Sequence, residues 1–100
     1  MRIGFHPEAL EEFKDAAQYY AGRQKYLELR FIAAVETVLK RIQQNPEWAR
    51  IFEDDIRRSL THVFPYAVLY SIEPDYLLII AVMHCNREPG YWRHRVKSKT

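Results

Sequence analysis

The sequence predicts an α+β fold: an N-terminal strand and an antiparallel helical hairpin packed on a mostly antiparallel four-stranded sheet. Three observations predict it. Apolar residues alternate over the first five positions, recur at helical spacing through the next two segments, and then crowd into three strand-like runs separated by prolines.

The first strand places Met1, Ile3 and Phe5 on one face and Arg2 and Gly4 on the other. His6-Pro7-Glu8 then opens a helix, since proline suits the first helical position and Glu8, Glu11 and Glu12 favour the positive end of the dipole. Its apolar face is expected to be Leu10, Phe13, Ala16, Ala17 and Tyr20, and Gly22 its stop. A second helix is expected from near Gln24, with a stripe of Leu27, Phe31, Ala34, Val35, Val38 and Ile42 and with Leu39 beside it. Asn45-Pro46 ends it, because a residue before proline is pushed out of the helical region. Helices joined by so few residues lie antiparallel.

The rest reads as a meander. Ile56 to Phe64 alternates in part, with Arg58, Leu60, His62 and Phe64 on one face. Tyr66 to Ile72 is rich in aromatic and branched residues, and Glu73-Pro74-Asp75 is a turn. Tyr76 to Met83 is a continuous apolar run, the pattern of a central strand covered on both faces. The hairpin of helices needs a surface to cover and should pack on one side of the sheet. A basic tail follows.

Composition narrows the function. The chain has 100 residues, of which 48% are hydrophobic and 14% aromatic, which suits one domain over residues 1–100 and argues against disorder. The longest apolar run falls far short of the roughly 20 residues a membrane span needs, so no membrane partner is expected. Met1 to Phe5 lacks the apolar core of a signal peptide, and a lone Cys85 cannot form an intrachain disulfide; both fit a reducing cytoplasm. The net charge of +2 is uneven: residues 1–56 hold eight basic and ten acidic side chains, and residues 57–100 hold seven and three. An anionic partner would prefer the second half.

The densest cluster of working side chains is His84-Cys85-Asn86-Arg87-Glu88-Pro89-Gly90-Tyr91-Trp92-Arg93-His94-Arg95, just past the central strand. A metal site is not expected there. His84 and Cys85 are adjacent in a strand and point to opposite faces, and His94 lies ten residues on. No cofactor is called for. Cys85 reads as a small buried apolar residue rather than a nucleophile. Metal-free RNA cleavage would need a base, a phosphate-clamping cation and an acid. Arg87 supplies a phosphate fork, Tyr91 or His94 an acid or base, and Arg57 and Arg58 a hold on the backbone. The plainer roles are a salt bridge from Arg87 to the helical half, and Tyr91 and Trp92 as rings capping the sheet. A binding face is the other class of use. Arg57, Arg58, Arg87, Tyr91, Trp92, Arg93 and Arg95 are the residue types that anchor an acidic or amphipathic partner segment.

Several segments carry a family resemblance. They are Phe5-His6-Pro7-Glu8-Ala9, Ala17-Gln18-Tyr19-Tyr20, Phe31-Ile32-Ala33-Ala34-Val35, Phe64-Pro65-Tyr66-Ala67-Val68-Leu69-Tyr70, and Ala81-Val82-Met83-His84 followed by Arg87 and Tyr91-Trp92-Arg93-His94-Arg95. In this order, over nearly the whole chain, they resemble the RelE/ParE superfamily of type II toxin–antitoxin toxins, closer to the ParE-like branch. The resemblance implies a cytoplasmic toxin held by a cognate, partly acidic antitoxin, with a toxin–antitoxin hetero-oligomer as the resting form. ParE-like members are linked to DNA gyrase, and RelE-like members cut mRNA in the ribosome without a metal. A RelE-like site here would use Arg58, Arg87, Tyr91 and His94. Ala67 and Leu60 stand where that branch carries basic residues, and Tyr91 is nearer to Arg87 than its pattern expects. These departures favour the ParE-like reading, with binding rather than catalysis as the mode of action, or a chain that has lost toxicity.

Overall fold

A computed structural model describes residues 1–96. The chain runs β1 (Arg2–Phe5), α1 (Pro7–Ala21), α2 (Leu27–Gln44), β2 (Arg50–Glu53), β3 (Ile56–Leu60), β4 (Tyr66–Ile72), β5 (Tyr76–His84) and a short 3-10 turn at Arg93–Arg95. The strands form one sheet in the order β1-β5-β4-β3-β2. Only β1 is parallel, to β5; the other pairings are antiparallel. The two helices pack on a five-stranded, mostly antiparallel sheet, which is the expected α+β fold with one strand more.

The extra strand is β2. Its four residues are mostly exposed and show no inward face, so periodicity gave no sign of it. Backbone pairing with β3 defines it. β3 ends at Leu60, four residues before the expected Phe64. Thr61 is buried, and its Oγ1 donates to the carbonyls of Phe64 (2.8 Å) and Tyr66 (3.1 Å), closing a tight loop in place of further strand. In that loop Val63 has φ 74°, a costly conformation for a β-branched residue.

Helix α1 begins and ends where proline and glycine predict. His6 caps it, its Nδ1 accepting from the Glu8 amide at 3.1 Å. The buried small residues of its face are Ala9, Ala16 and Ala17; Leu10, expected inside, is exposed. Helix α2 starts at Leu27, three residues later than expected, because Tyr26 takes φ 67° and closes the inter-helix turn. Its buried stripe is Phe31, Val35, Val38 and Ile42.

The sheet is covered on both faces, as the apolar run of β5 predicts. The helices cover one face, over Val68, Tyr70, Leu77, Ile79 and Val82. The other face carries Ile56, Ala67, Leu69, Ile80, Ala81 and Met83, and the segment after β5 folds back over it. A β-bulge reconciles the two. Leu69 pairs with Ala81 and Tyr70 with Ile79, so Ile80 is an extra residue and shares a face with Ala81. Lys97 and Lys99 of the basic tail lie outside the described residues.

Candidate functional site

The rim of the molecule is built where β1 stops. β1 pairs with β5 only as far as Ile79, opposite Phe5, and β5 runs on to His84. Beyond Ile79 the backbone of β5 has no strand on that side. Two side chains from distant parts of the chain satisfy it. The Val82 amide donates to Glu12 Oε1 at 3.2 Å, and Arg95 Nη1 donates to the Ile80 carbonyl at 3.0 Å. Glu12 and Arg95 also meet each other, at 2.7 and 3.2 Å. The Arg95 side chain is only 6% exposed, so this pair is a built part of the structure. Burial is the largest single influence and opposes the charge of Arg95, but the hydrogen bonds it donates to Glu12, together with the attraction of Glu12 and Glu8, outweigh burial and raise the guanidinium pKa.

Tyr91 joins the same pair. Its hydroxyl donates to Glu12 Oε2 at 2.5 Å, and Arg95 lies 5.1 Å from its ring centre. Burial first, and then the bond to Glu12, push the phenol well above its ordinary range. Arg87 lies over the other part of this assembly, 3.9 Å from the centre of the Tyr91 ring. Arg87 is exposed, and no carboxylate among the described residues pairs with it. The expected salt bridge between this segment and the helical half exists, but Arg95 makes it rather than Arg87.

The neighbouring side chains are fixed by other partners. His94 Nε2 lies 2.7 Å from Glu8 Oε2, and its Nδ1 lies 3.1 Å from the Tyr91 carbonyl. That hydrogen bond from His94 is the main reason Glu8 sits below the usual carboxylate range. Arg95 Nε is 3.0 Å from the same carboxylate, an ionic contact poorly aligned for a hydrogen bond. Arg93 grips Glu53 of β2 with two 2.7 Å bonds, which lower the Glu53 pKa and raise its own. The close approach requires Gly90, where φ is +75° and a Cβ would fall 2.3 Å from the Arg93 guanidinium.

Trp92 corrects the sequence reading. Offered as a contact residue, it is 2% exposed and forms the centre of the second core, with Phe52 beside it at 6.4 Å. An indole seated in the core cannot reach a partner, and the capping role is the one it plays. Cys85, expected to be buried, is exposed in the turn after β5. Arg57 is tied inward, donating to the carbonyls of Glu47 (2.8 Å) and Ala49 (2.7 Å). Arg58 is exposed but stacks on Phe52, 4.6 Å from its ring centre, on β2 rather than on the Tyr91 platform. The structure thus brings Arg87 and Tyr91 together, with His94 and Arg95 next to them, and places Arg57 and Arg58 on other supports. Glu12, the residue that organises the rim, carries in the sequence only the mark of a helix-start acid. No local signal announces a partner 79 residues away.

No group of three or more His, Cys, Asp or Glu among the described residues is placed to hold a metal, and no helix there is long and apolar enough to cross a membrane. No curated protein matches the chain. Among solved structures, a chain of the chromosomal ParDE TA system from P. aeruginosa has the same fold, with a TM-score of 0.63 at 12% identity; the match covers 84% of this chain and 95% of that one. Residues 3–89 match the family described as the ParE toxin of the type II toxin–antitoxin system parDE. The chain belongs to that ParE toxin family and is a type II toxin.

Proposed function

We propose that this toxin arrests growth by binding a protein target through the rim around Arg87, that the target is DNA gyrase, and that a cognate antitoxin neutralises it in a cytoplasmic hetero-oligomer. One observation carries the binding reading. Arg87 is an exposed cation held on the Tyr91 ring, with no carboxylate partner among the described residues. An unpaired guanidinium on a rigid aromatic support is the composition of an interface anchor. Family membership supports the toxin and its antitoxin; the gyrase target follows from the ParE-like resemblance.

The ribosomal mRNA cleavage of the RelE-like branch is the second reading. Tyr91 is poorly suited to acid–base work there, since its hydroxyl is engaged by Glu12 and its proton is held tightly. Two assays separate the readings. Purified toxin is added to gyrase and plasmid, and cleaved DNA is looked for. It is also added to translating ribosomes, and new mRNA ends are mapped by primer extension. Trapped DNA without new mRNA ends is the expected result. New mRNA ends without trapped DNA would overturn the proposal.

A further inference from the structure

We propose that the target-binding face runs from Arg87 along the flank of α1 to Arg23, and that it reads a segment of the target protein carrying spaced carboxylates. The inference rests on the reading above that the rim around Arg87 binds a protein, and it adds further residues and the chemistry of the contact.

The far end of this face repeats the near end. Arg87 lies 3.9 Å from the centre of the Tyr91 ring. Arg23, in the turn after α1, lies 4.4 Å from the centre of the Tyr19 ring. Both guanidiniums are exposed, and Tyr19 is 54% exposed. Neither cation pairs with a carboxylate among the described residues. The helix sets the two ends in line. Glu8, Glu12 and Tyr19 recur at the spacings of one helix face. Glu8 and Glu12 hold His94, Arg95 and Tyr91. The flank that builds the rim therefore continues to Tyr19, about 10 Å further along the axis.

Rings fill the space between the two stacked cations. Tyr19 meets Tyr20 edge-on at 5.3 Å, Tyr20 meets Tyr66 at 6.3 Å, and Tyr66 meets His84 at 5.2 Å. His84 Nδ1 accepts the Asn86 amide at 3.0 Å, which puts the ring proton on Nε2. That N–H and the Tyr66 hydroxyl meet no acceptor among the described residues. Burial first, and then Tyr20 and Tyr19, raise the pKa of the Tyr66 phenol, so it keeps its proton. The row thus offers donors from Arg23, Tyr66, His84 and Arg87. Half-buried donors left without acceptors suit a partner that brings them. A guanidinium lying on a ring turns its N–H edge outward, the geometry that takes a carboxylate.

The placement of charge selects the class of partner. Asp15 stands on the same flank, between Glu12 and Tyr19, and pairs with no cation among the described residues. A nucleic-acid strand carries a charge at every nucleotide and would set a phosphate against it. A polypeptide can place carboxylates at the two ends of the row and a neutral side chain between them.

The test measures the Kd of the full chain for purified gyrase holoenzyme. Arg23→Glu and His84→Ala are each expected to weaken binding at least about 10-fold. Thermal unfolding of Arg23→Glu should match wild type, because the side chain is exposed. Lys25→Glu reverses a nearby charge that lies over Tyr26 (5.2 Å) rather than Tyr19, and should change Kd less than about threefold. An equal loss in the Lys25 variant would reduce the effect to general electrostatics and overturn the assignment. Normal binding by Arg23→Glu or His84→Ala, beside a weakened Arg87→Ala, would overturn the extended face alone. Tighter binding of wild type to a dT20 oligonucleotide than to gyrase, lost in Arg23→Glu, would give the row to nucleic acid and overturn it as well. Normal binding by Arg87→Ala, or no binding by wild type, would sink the reading in the preceding subsection, and the inference with it.

Discussion

The hydroxyl of Tyr91 donates a 2.5 Å hydrogen bond to the carboxylate of Glu12, 79 residues earlier in the chain. That carboxylate also takes Arg95 and the Val82 amide. One side chain of α1 thereby holds the C-terminal segment, the bulged end of β5 and the aromatic support of Arg87.

Glu12→Ala should be among the most destabilising single changes on the rim. It leaves a guanidinium that is 6% exposed with Glu8 as its remaining carboxylate contact, and it leaves the Val82 amide without its acceptor. Removing one partner of a buried pair costs about 3–5 kcal/mol. Because Glu12 is partly exposed (17%), the lower end of that range is expected in chemical denaturation. A cost near zero would show that the pair is dispensable.

Arg87→Ala should abolish growth arrest while leaving thermal unfolding close to wild type, because the side chain is exposed and supports nothing else. Tyr91→Phe should behave differently. It keeps the ring under Arg87, loses one hydrogen bond worth about 1–2 kcal/mol, and retains growth arrest. Loss of arrest in the phenylalanine variant at normal expression would point to a chemical role for the phenol.

Trp92→Ala should cost about 3–5 kcal/mol, the range for emptying a buried aromatic site. Its effect should appear as lost folded protein in circular dichroism rather than as weakened binding by folded protein. A stable variant with impaired binding would return Trp92 to the contact surface.

Gly90→Ala should destabilise in two ways, through its positive φ and through collision with Arg93. The cost is expected at about 1–3 kcal/mol. Combined with Arg93→Ala, the collision disappears and only the backbone strain remains. The double variant should therefore lose less than the sum of the two singles; strict additivity would remove the collision from the account.

Acid should weaken the Arg93–Glu53 clamp. The folded-state pKa of Glu53 is depressed below its ordinary value of 4.5, so its stabilisation is present above that value and is lost as pH falls through the folded pKa. Glu53→Gln should flatten the stability decline below about pH 4.5, measured by denaturant titration at several pH values. Added salt should reduce the wild-type effect, since the pair is solvent-exposed.

The helices and the three long strands were legible because each is decided locally. Pro7, Gly22 and Asn45-Pro46 are stop and start signals that act within a turn of chain. The apolar run of Tyr76–Met83 needs cover on both faces, and both faces are covered. β2 was not legible, because its pairing with β3 is a backbone matter and its side chains carry no inward face.

The rim divides along the same line. That Arg87, Tyr91, His94 and Arg95 gather past the central strand is written in their closeness in sequence. Which of them stays exposed is not. Glu12 captures Tyr91 and Arg95, Glu53 captures Arg93, the second core takes Trp92, and Arg87 is left facing outward. Sequence spacing determines which residues share an element, because helix and strand periods are properties of the backbone itself. Only the tertiary structure decides which charge meets which, because those partners are joined by the packing of distant segments.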